Sequence, residues 1–255
     1  MATQYVVSRD GTRIAYEIKG QGPAIMLLHG AGKTRQDWTK IGYVDRLIKD
    51  FTVITMDLRG MGESEIKIEE ADYSMDKLCD DLCAIADACG IQRFTVWGYS
   101  LGGSIARYFA SKTDRVTALV IVGAPLGQMI NAKFDQYADG FIAQWKPVVK
   151  AYKEGTLSSV EEKSILEGGV LVWSALFPAM QTWPLIKPKD IRCPVLLVVG
   201  SEDQDVMEWV KSNQEACEGC QIDVKIVQGT NHNQEFTDIE KTYPVVEAFL
   251  SSSLQ

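Results

Sequence analysis

The chain has 255 residues, 46% of them hydrophobic, and its 34 acidic against 26 basic side chains leave a net charge of −8. That length and apolar content suffice for one large domain with a sizeable core, while the negative balance and lack of a basic stripe argue against nucleic acid as a partner. No apolar stretch approaches the roughly 18 residues of a membrane span, and Met1 to Tyr5 lack the charged and apolar regions of a signal peptide, so a soluble cytoplasmic protein is expected.

In chain order, Tyr5 to Val7 and Arg13 to Glu17 flank Asp10-Gly11 and predict an opening hairpin. Apolar, β-branched runs near 24–28, 52–56, 94–98, 116–122, 194–199 and 223–227 predict six further strands, parallel to one another and making eight in all. Between the third and fourth strands, Gln36 to Lys49 can form a helix. Leu78, Leu82, Ile85 and Cys89 mark another, with Ser74 as its N-cap, and a last helix is predicted from about Thr242 to Leu250. The stretch from about Leu126 to Asp190 breaks this rhythm, being too long for a simple connection. Phe134, Tyr137, Ala138, Phe141, Ile142 and Trp145 recur there at helical spacing, with Pro147 expected to end or kink the helix. Further apolar clusters follow at Val170 to Trp173 and at Leu176, Phe177, Met180 and Trp183.

Chemistry enters at Gly98-Tyr99-Ser100-Leu101-Gly102, between the strand-like Phe94 to Trp97 and a helix-like run containing Ile105, Ala106, Tyr108 and Phe109. Glycines two positions either side of the serine allow a sharp strand-to-helix turn that lifts the hydroxyl out of the sheet. A serine hydroxyl is a poor nucleophile at neutral pH and needs an imidazole to take its proton. There are two histidines. His29 ends the run Ile25 to Leu28; His232 lies in Gly229-Thr230-Asn231-His232 after a late strand. Between the serine and His232, the apolar run 194–200 is followed by Ser201-Glu202-Asp203-Gln204-Asp205, which offers Glu202, Asp203 and Asp205 as carboxylates to hold the imidazole's tautomer. An ordinary histidine pKa of about 6.5 predicts that the rate falls below roughly pH 6 to 7.

With these residues in view, the sequence resembles the α/β-hydrolase family over nearly its whole length. Four landmarks match in order: His29-Gly30-Ala31-Gly32, the segment from Asp57 to Ser64, the serine elbow, and the late acid and histidine. The resemblance implies an α/β fold with an eight-stranded mostly parallel sheet flanked by helices, residues 1–125 and 191–255 forming the core and 126–190 a helical cap inserted after the sixth strand. It implies Ser100 as nucleophile, Asp203 as orienting acid and His232 as base, with the backbone N–H groups of Leu101 and Ala31 as oxyanion donors. It assigns His29 a structural place beside the oxyanion loop.

The aromatic and methionine content of the cap suggests an apolar pocket, for which Met129, Phe141, Trp145 and Trp173 are the candidate lining. Asp57, Arg59, Gly60 and Gly62 are expected to shape a turn; their Gly-x-Gly lacks the third glycine and helix start of a nucleotide fingerprint. Cys217-Glu218-Gly219-Cys220 has no second half with which to build a zinc site. The expectation is therefore a monomeric or homodimeric serine hydrolase that needs no metal or cofactor and cleaves a small, largely apolar ester through an acyl-serine. Carbon–carbon hydrolase, lactonase, thioesterase and perhydrolase chemistry on the same residues, or a slow-turnover ligand receptor, are the alternatives. Serine at position 100 sets the chain apart from the aspartate-nucleophile dehalogenases and epoxide hydrolases of that fold.

Overall fold

Strands that read as unbroken apolar runs belong in the middle of a sheet covered on both faces, and here they do. The computed structural model describes residues 2–127, 132–217 and 219–253. In chain order the strands are β1 (Gln4–Val7), β2 (Arg13–Lys19), β3 (Ala24–Leu28), β4 (Thr52–Met56), β5 (Phe94–Tyr99), β6 (Val116–Val122), β7 (Val195–Gly200) and β8 (Ile222–Val227). The helices are α1 (Arg35–Ile41), α2 (Tyr43–Leu47), α3 (Met75–Ala88), α4 (Leu101–Lys112), α5 (Ala132–Lys153), α6 (Ser159–Glu167) and α7 (Val170–Thr182). Then come α8 (Gln204–Ser212), α9 (Gln214–Cys217), α10 (Gln234–Thr237) and α11 (Ile239–Ser253).

The eight strands form one sheet in the order β1-β2-β4-β3-β5-β6-β7-β8. β2 pairs antiparallel with β1 and β4; every other neighbouring pair is parallel. Alternation along the strands sends side chains to opposite faces. Met26, Leu28, Val96, Leu197 and Val199 join α3, α4 and α7 in one core layer. Ile25, Leu27, Trp97, Leu196 and Val198 join α1, α2, α10 and α11 in the other.

Two elements differ from the sequence expectation. The single helix expected over 36–49 is two, because Gly42 adopts φ 103°, a left-handed conformation that closes α1 and turns the chain into α2. α5, by contrast, runs through Pro147 to Lys153. Proline withdraws one N–H from the carbonyl of residue 143, and both Pro147 and Ala143 are exposed, so that carbonyl is left to water and the helix continues.

α5, α6 and α7 all lie between β6 and β7, and α7 packs on α5, on α6 and on the one-turn helix Glu70–Tyr73. No helix among the described residues is long and apolar enough to cross a membrane.

Candidate active site

The turn after β5 is as sharp as its glycines suggest. Ser100 sits at φ 52°, ψ −115°, and among the described residues no other non-glycine has positive φ. Such a conformation costs about 1–3 kcal/mol and survives only where surrounding contacts enforce it. A Cβ on Gly98 would lie 2.4 Å from the Gly102 carbonyl oxygen, and one on Gly102 would lie 2.3 Å from that of Leu28. The elbow is thus clamped between the start of α4 and the end of β3, and the Ser100 N–H donates to Val122 O at 2.9 Å.

His232 reaches this serine from the loop between β8 and α10. Its Nε2 lies 2.9 Å from Ser100 Oγ, and its Nδ1 lies 2.7 Å from Asp203 Oδ2. With Nδ1–H donated to Asp203, Nε2 presents its lone pair to the serine hydroxyl. Asp203 is 7% exposed and is the N-cap of α8, accepting from Val206 N–H at 3.3 Å, so helix geometry holds its other oxygen toward the imidazole. Asp205, its rival in the sequence, is an exposed residue of the first turn of α8 and does not share this hydrogen bond.

The histidine loop is held by contacts the sequence did not reveal. Tyr99 stacks on the imidazole with centroids 5.4 Å apart, and its hydroxyl donates to His232 O at 2.8 Å. Phe236 stacks on Tyr99 at 4.6 Å and meets Trp38 edge-on at 4.8 Å, while Tyr43 Oη donates to Phe236 O at 3.0 Å. α1, α2 and β5 together therefore anchor α10 and, through it, His232. Glu235 is the second unforeseen neighbour. It is fully buried, its Oε1 accepts from Gly200 N–H, and its Oε2 lies 3.5 Å from His232 Nδ1. Burial alone would lower the His232 pKa, but Asp203 and Glu235 outweigh it and lift the value to about 9. Burial pushes the Glu235 carboxyl up, against the pull of the imidazole and the Gly200 amide. Position 235 falls three residues beyond the histidine on a helix of four residues, a spacing with no periodic signal to mark it.

The other landmarks serve as framework. A Cβ on Gly30 would lie 3.2 Å from Ser100 Cβ, which places the next residue, Ala31, beside the elbow in the turn closed by Lys33 N–H to Gly30 O. Leu101 opens α4, so its N–H has no partner within the helix. His29 is fully buried; Nδ1 donates to Gly30 O at 2.8 Å, Nε2 accepts from Leu58 N–H at 3.0 Å, and burial lowers its pKa, so it clips the loops after β3 and β4 together as a neutral ring. Asp57 receives Arg35 and the N–H of Glu63, and Arg59 binds Asp81 and Asp10.

A cavity of about 710 Å³ opens beside His232 and Asp203. Phe134, Tyr137, Met180 and Trp209 give it an apolar wall, and Lys133, Asp205 and Glu208 a charged one. Ser100 is not among its lining residues and meets it through His232. Phe141, Trp145 and Trp173 do not line it either. Phe141 and Trp173 pack on Phe177, at 5.2 and 5.4 Å, and Trp145 packs on the small core of Ile165, Val170 and Leu171. Phe134 and Tyr137, on the first turns of α5, also meet Phe177 edge-on at 5.6 Å but line the cavity as well. Met129 lies outside the described residues.

Asp203, His232 and Glu235 are close enough together for a cation, with one ligand atom from each within 4.8 Å of the others. The direct Nδ1–Oδ2 hydrogen bond occupies the atoms that would ligate it, so the trio is organised around a proton. The six cysteines are free thiols, Cys217 and Cys220 included.

Comparison with known proteins agrees with this architecture. The chain is similar to an uncharacterised Mycobacterium tuberculosis protein, 38% identical over 115 residues, or 45% of this chain and 33% of that one. It is also similar to a soluble epoxide hydrolase of Corynebacterium, 32% identical over 121 residues, 47% of this chain and 41% of the other. The chain thus spans less than half the length of these curated relatives. Among solved structures, a carboxylesterase study of Nitrososphaera gargenis matches with a TM-score of 0.79 and 22% identity over 98% of this chain and 99% of that one, a likeness of fold. The family model for the alpha/beta hydrolase fold matches residues 23–151, half of the sequence and the stretch from β3 through the elbow into α5. The chain is a member of the α/β-hydrolase family.

Proposed function

We propose that this hydrolase cleaves small, largely apolar carboxylic esters through an acyl-serine intermediate. The observation that carries the reading is the hydrogen-bonded line from Ser100 through His232 to Asp203, 2.9 and 2.7 Å long, ending on a buried carboxylate. Ser100 Oγ attacks the ester carbonyl as Nε2 takes its proton; the imidazolium then returns that proton to the leaving alcohol, and water repeats the sequence to free the acid. Asp203 keeps the required tautomer and stabilises the imidazolium. The amides of Leu101 and Ala31 hold the oxyanion, and loss of one such donor typically costs on the order of 100-fold to 1000-fold in turnover.

Residues 126–190 act in this reading as a cap on a core made of residues 1–125 and 191–255, since α5 and α7 supply Phe134, Tyr137 and Met180 to the cavity beside His232. Its apolar wall favours an apolar acyl or alkyl group. Asp205 and Glu208 against Lys133 leave the other wall with an excess of negative charge, which disfavours substrates that carry a carboxylate of their own. Likeness to epoxide hydrolases does not change the reading, because the elbow here presents a hydroxyl and not a carboxylate.

A panel of p-nitrophenyl esters of graded chain length, with lactones and thioesters alongside, tests the proposal. Steady turnover of short acyl esters that Ser100→Ala abolishes is expected. Turnover retained in that variant, or turnover confined to another bond class, overturns it.

A further inference from the structure

Two carboxylates, not one, face His232 Nδ1. Asp203 Oδ2 is at 2.7 Å from it and Glu235 Oε2 at 3.5 Å. Glu235 has no exposure at all, and among the described residues Oε2 has no hydrogen-bond partner, although Oε1 is satisfied by the Gly200 amide. A buried oxygen without a donor is costly unless a positive charge appears beside it. Among the described residues, the group placed to become positive there is the imidazole. Were Glu235 protonated, its hydroxyl would itself need an acceptor, and Nδ1 is already a donor to Asp203.

We infer that Glu235 is a positioning residue for the base: an ionised second carboxylate that stabilises the His232 imidazolium and thereby moves the acidic limb of activity well to the alkaline side of an ordinary histidine's. The inference rests on the reading of His232 as general base. The sign follows from the charge change. Protonation turns a neutral ring between two anions into a cation between two anions, so both carboxylates favour the protonated form and the base becomes free only at higher pH. An opposite charge at this range shifts a pKa by about 1–3 units. The limb is therefore expected more than about one unit above 6.5, and not at pH 6 to 7 as an ordinary histidine predicts.

Other charged and titratable groups surround the imidazole. Lys33, from the loop after β3, has its Nζ 5.0 Å from the Phe236 ring and 5.9 Å from that of Tyr99, and as a cation it acts against the shift. The Tyr99 hydroxyl donates to a carbonyl and its pKa is raised, first by burial and then by Glu235 and Asp203, so it stays neutral. Asp205 and Glu208 on α8 share the open cavity with the imidazole, where water screens them. Asp238, at the end of α10, pairs with Lys241 of α11 at 3.6 Å, and Lys241 also donates to Gly229 O.

The test measures the rate of covalent labelling by a fluorophosphonate from pH 5 to 10, a probe that reports serine activation without reference to the acyl pocket. In the wild type the midpoint of the acidic limb is expected above about pH 7.5, and Glu235→Gln, which keeps an oxygen for the Gly200 amide, should move it down by at least about one unit. A midpoint unchanged to within ~0.3 unit in folded Glu235→Gln overturns the inference. Should that variant not fold, NMR titration of 15N-histidine in Asp203→Asn, which leaves Glu235 as the carboxylate beside Nδ1, decides. The chain has two histidines, and His29 is sealed in the core. A His232 pKa above about 7.5 upholds the inference, and one at or below about 6.5 overturns it. Labelling that persists in Ser100→Ala would sink the serine reading instead, while the NMR titration would still judge Glu235.

Discussion

Replacing Gly102 by alanine should cost far more activity than stability. The new methyl would stand 2.3 Å from Leu28 O, 2.6 Å from Leu28 C and 2.7 Å from His29 O. All three are backbone atoms of a central strand and its exit, so rotamer changes cannot relieve the contact. Ordinary carbon contact begins near 3.5 Å, so the first turn of α4 must retreat by about 1 Å. Overpacking of this kind costs about 1–3 kcal/mol, offset by up to about 1 kcal/mol from the better helix propensity of alanine. A net loss of about 1–2 kcal/mol corresponds to a fall in Tm of about 2–8 °C for a chain of this size. The same retreat carries Leu101 N–H and Ser100 away from His232, and a 1 Å misplacement of reacting groups costs on the order of 100-fold in rate. Scanning fluorimetry and fluorophosphonate labelling, measured on one preparation, separate the two effects. Gly140→Ala is the control, since a Cβ there meets nothing within 4 Å and α5 should hold or gain slightly in stability. Wild-type Tm and labelling rate in Gly102→Ala would refute the argument that close backbone approach positions the elbow.

Asp203→Asn should reduce turnover at least ~100-fold and Asp205→Asn less than ~5-fold, because the hydrogen bond to Nδ1 belongs to Asp203; steady-state kinetics giving the reverse order would move the acid. Ser100→Ala should abolish turnover while shifting stability by no more than about 1 kcal/mol, since it removes one hydrogen bond and leaves the elbow backbone unchanged; urea melts check it. Arg59→Met should destabilise by about 3–5 kcal/mol, because it leaves the buried Asp81 carboxylate without its partner; a Tm within ~2 °C of wild type would show that the pair is dispensable. Burial opposes ionisation of Asp10, but Arg59 and Thr12 hold its carboxyl well below the usual range. Its contribution to stability is thus complete above its unfolded pKa of about 4 and is lost as pH falls further, so the Tm gap between wild type and Asp10→Asn should narrow on acidification.

Much of this protein can be read from local chemistry. Strand runs such as 118–122 and 195–199 are continuous in apolar residues because both faces of a parallel sheet are covered, and Gly98 is required by contact with Gly102 and Gly103 within five residues of chain, whereas Gly102 answers to Leu28 and His29, far away in the sequence. Fold, strand order along the chain and the serine elbow therefore lie in the sequence. Residue type alone points to Phe141, Trp145 and Trp173 as pocket lining, but type does not say whether a helix face meets a cavity or a neighbouring helix. Here Phe177 and the small core of Ile165, Val170 and Leu171 take them up.

Sequence by itself determined which groups could do chemistry: one elbow serine, one histidine downstream of it, and carboxylates at 202, 203 and 205. Tertiary structure alone decided which carboxylates touch the imidazole, because that depends on the N-cap of α8 directing Asp203 and on aromatic side chains from α1, α2 and β5 seating α10 so that Glu235 faces Nδ1. Proton affinity depends on distances of a few ångströms between charges far apart in the chain, and only the folded backbone sets those distances.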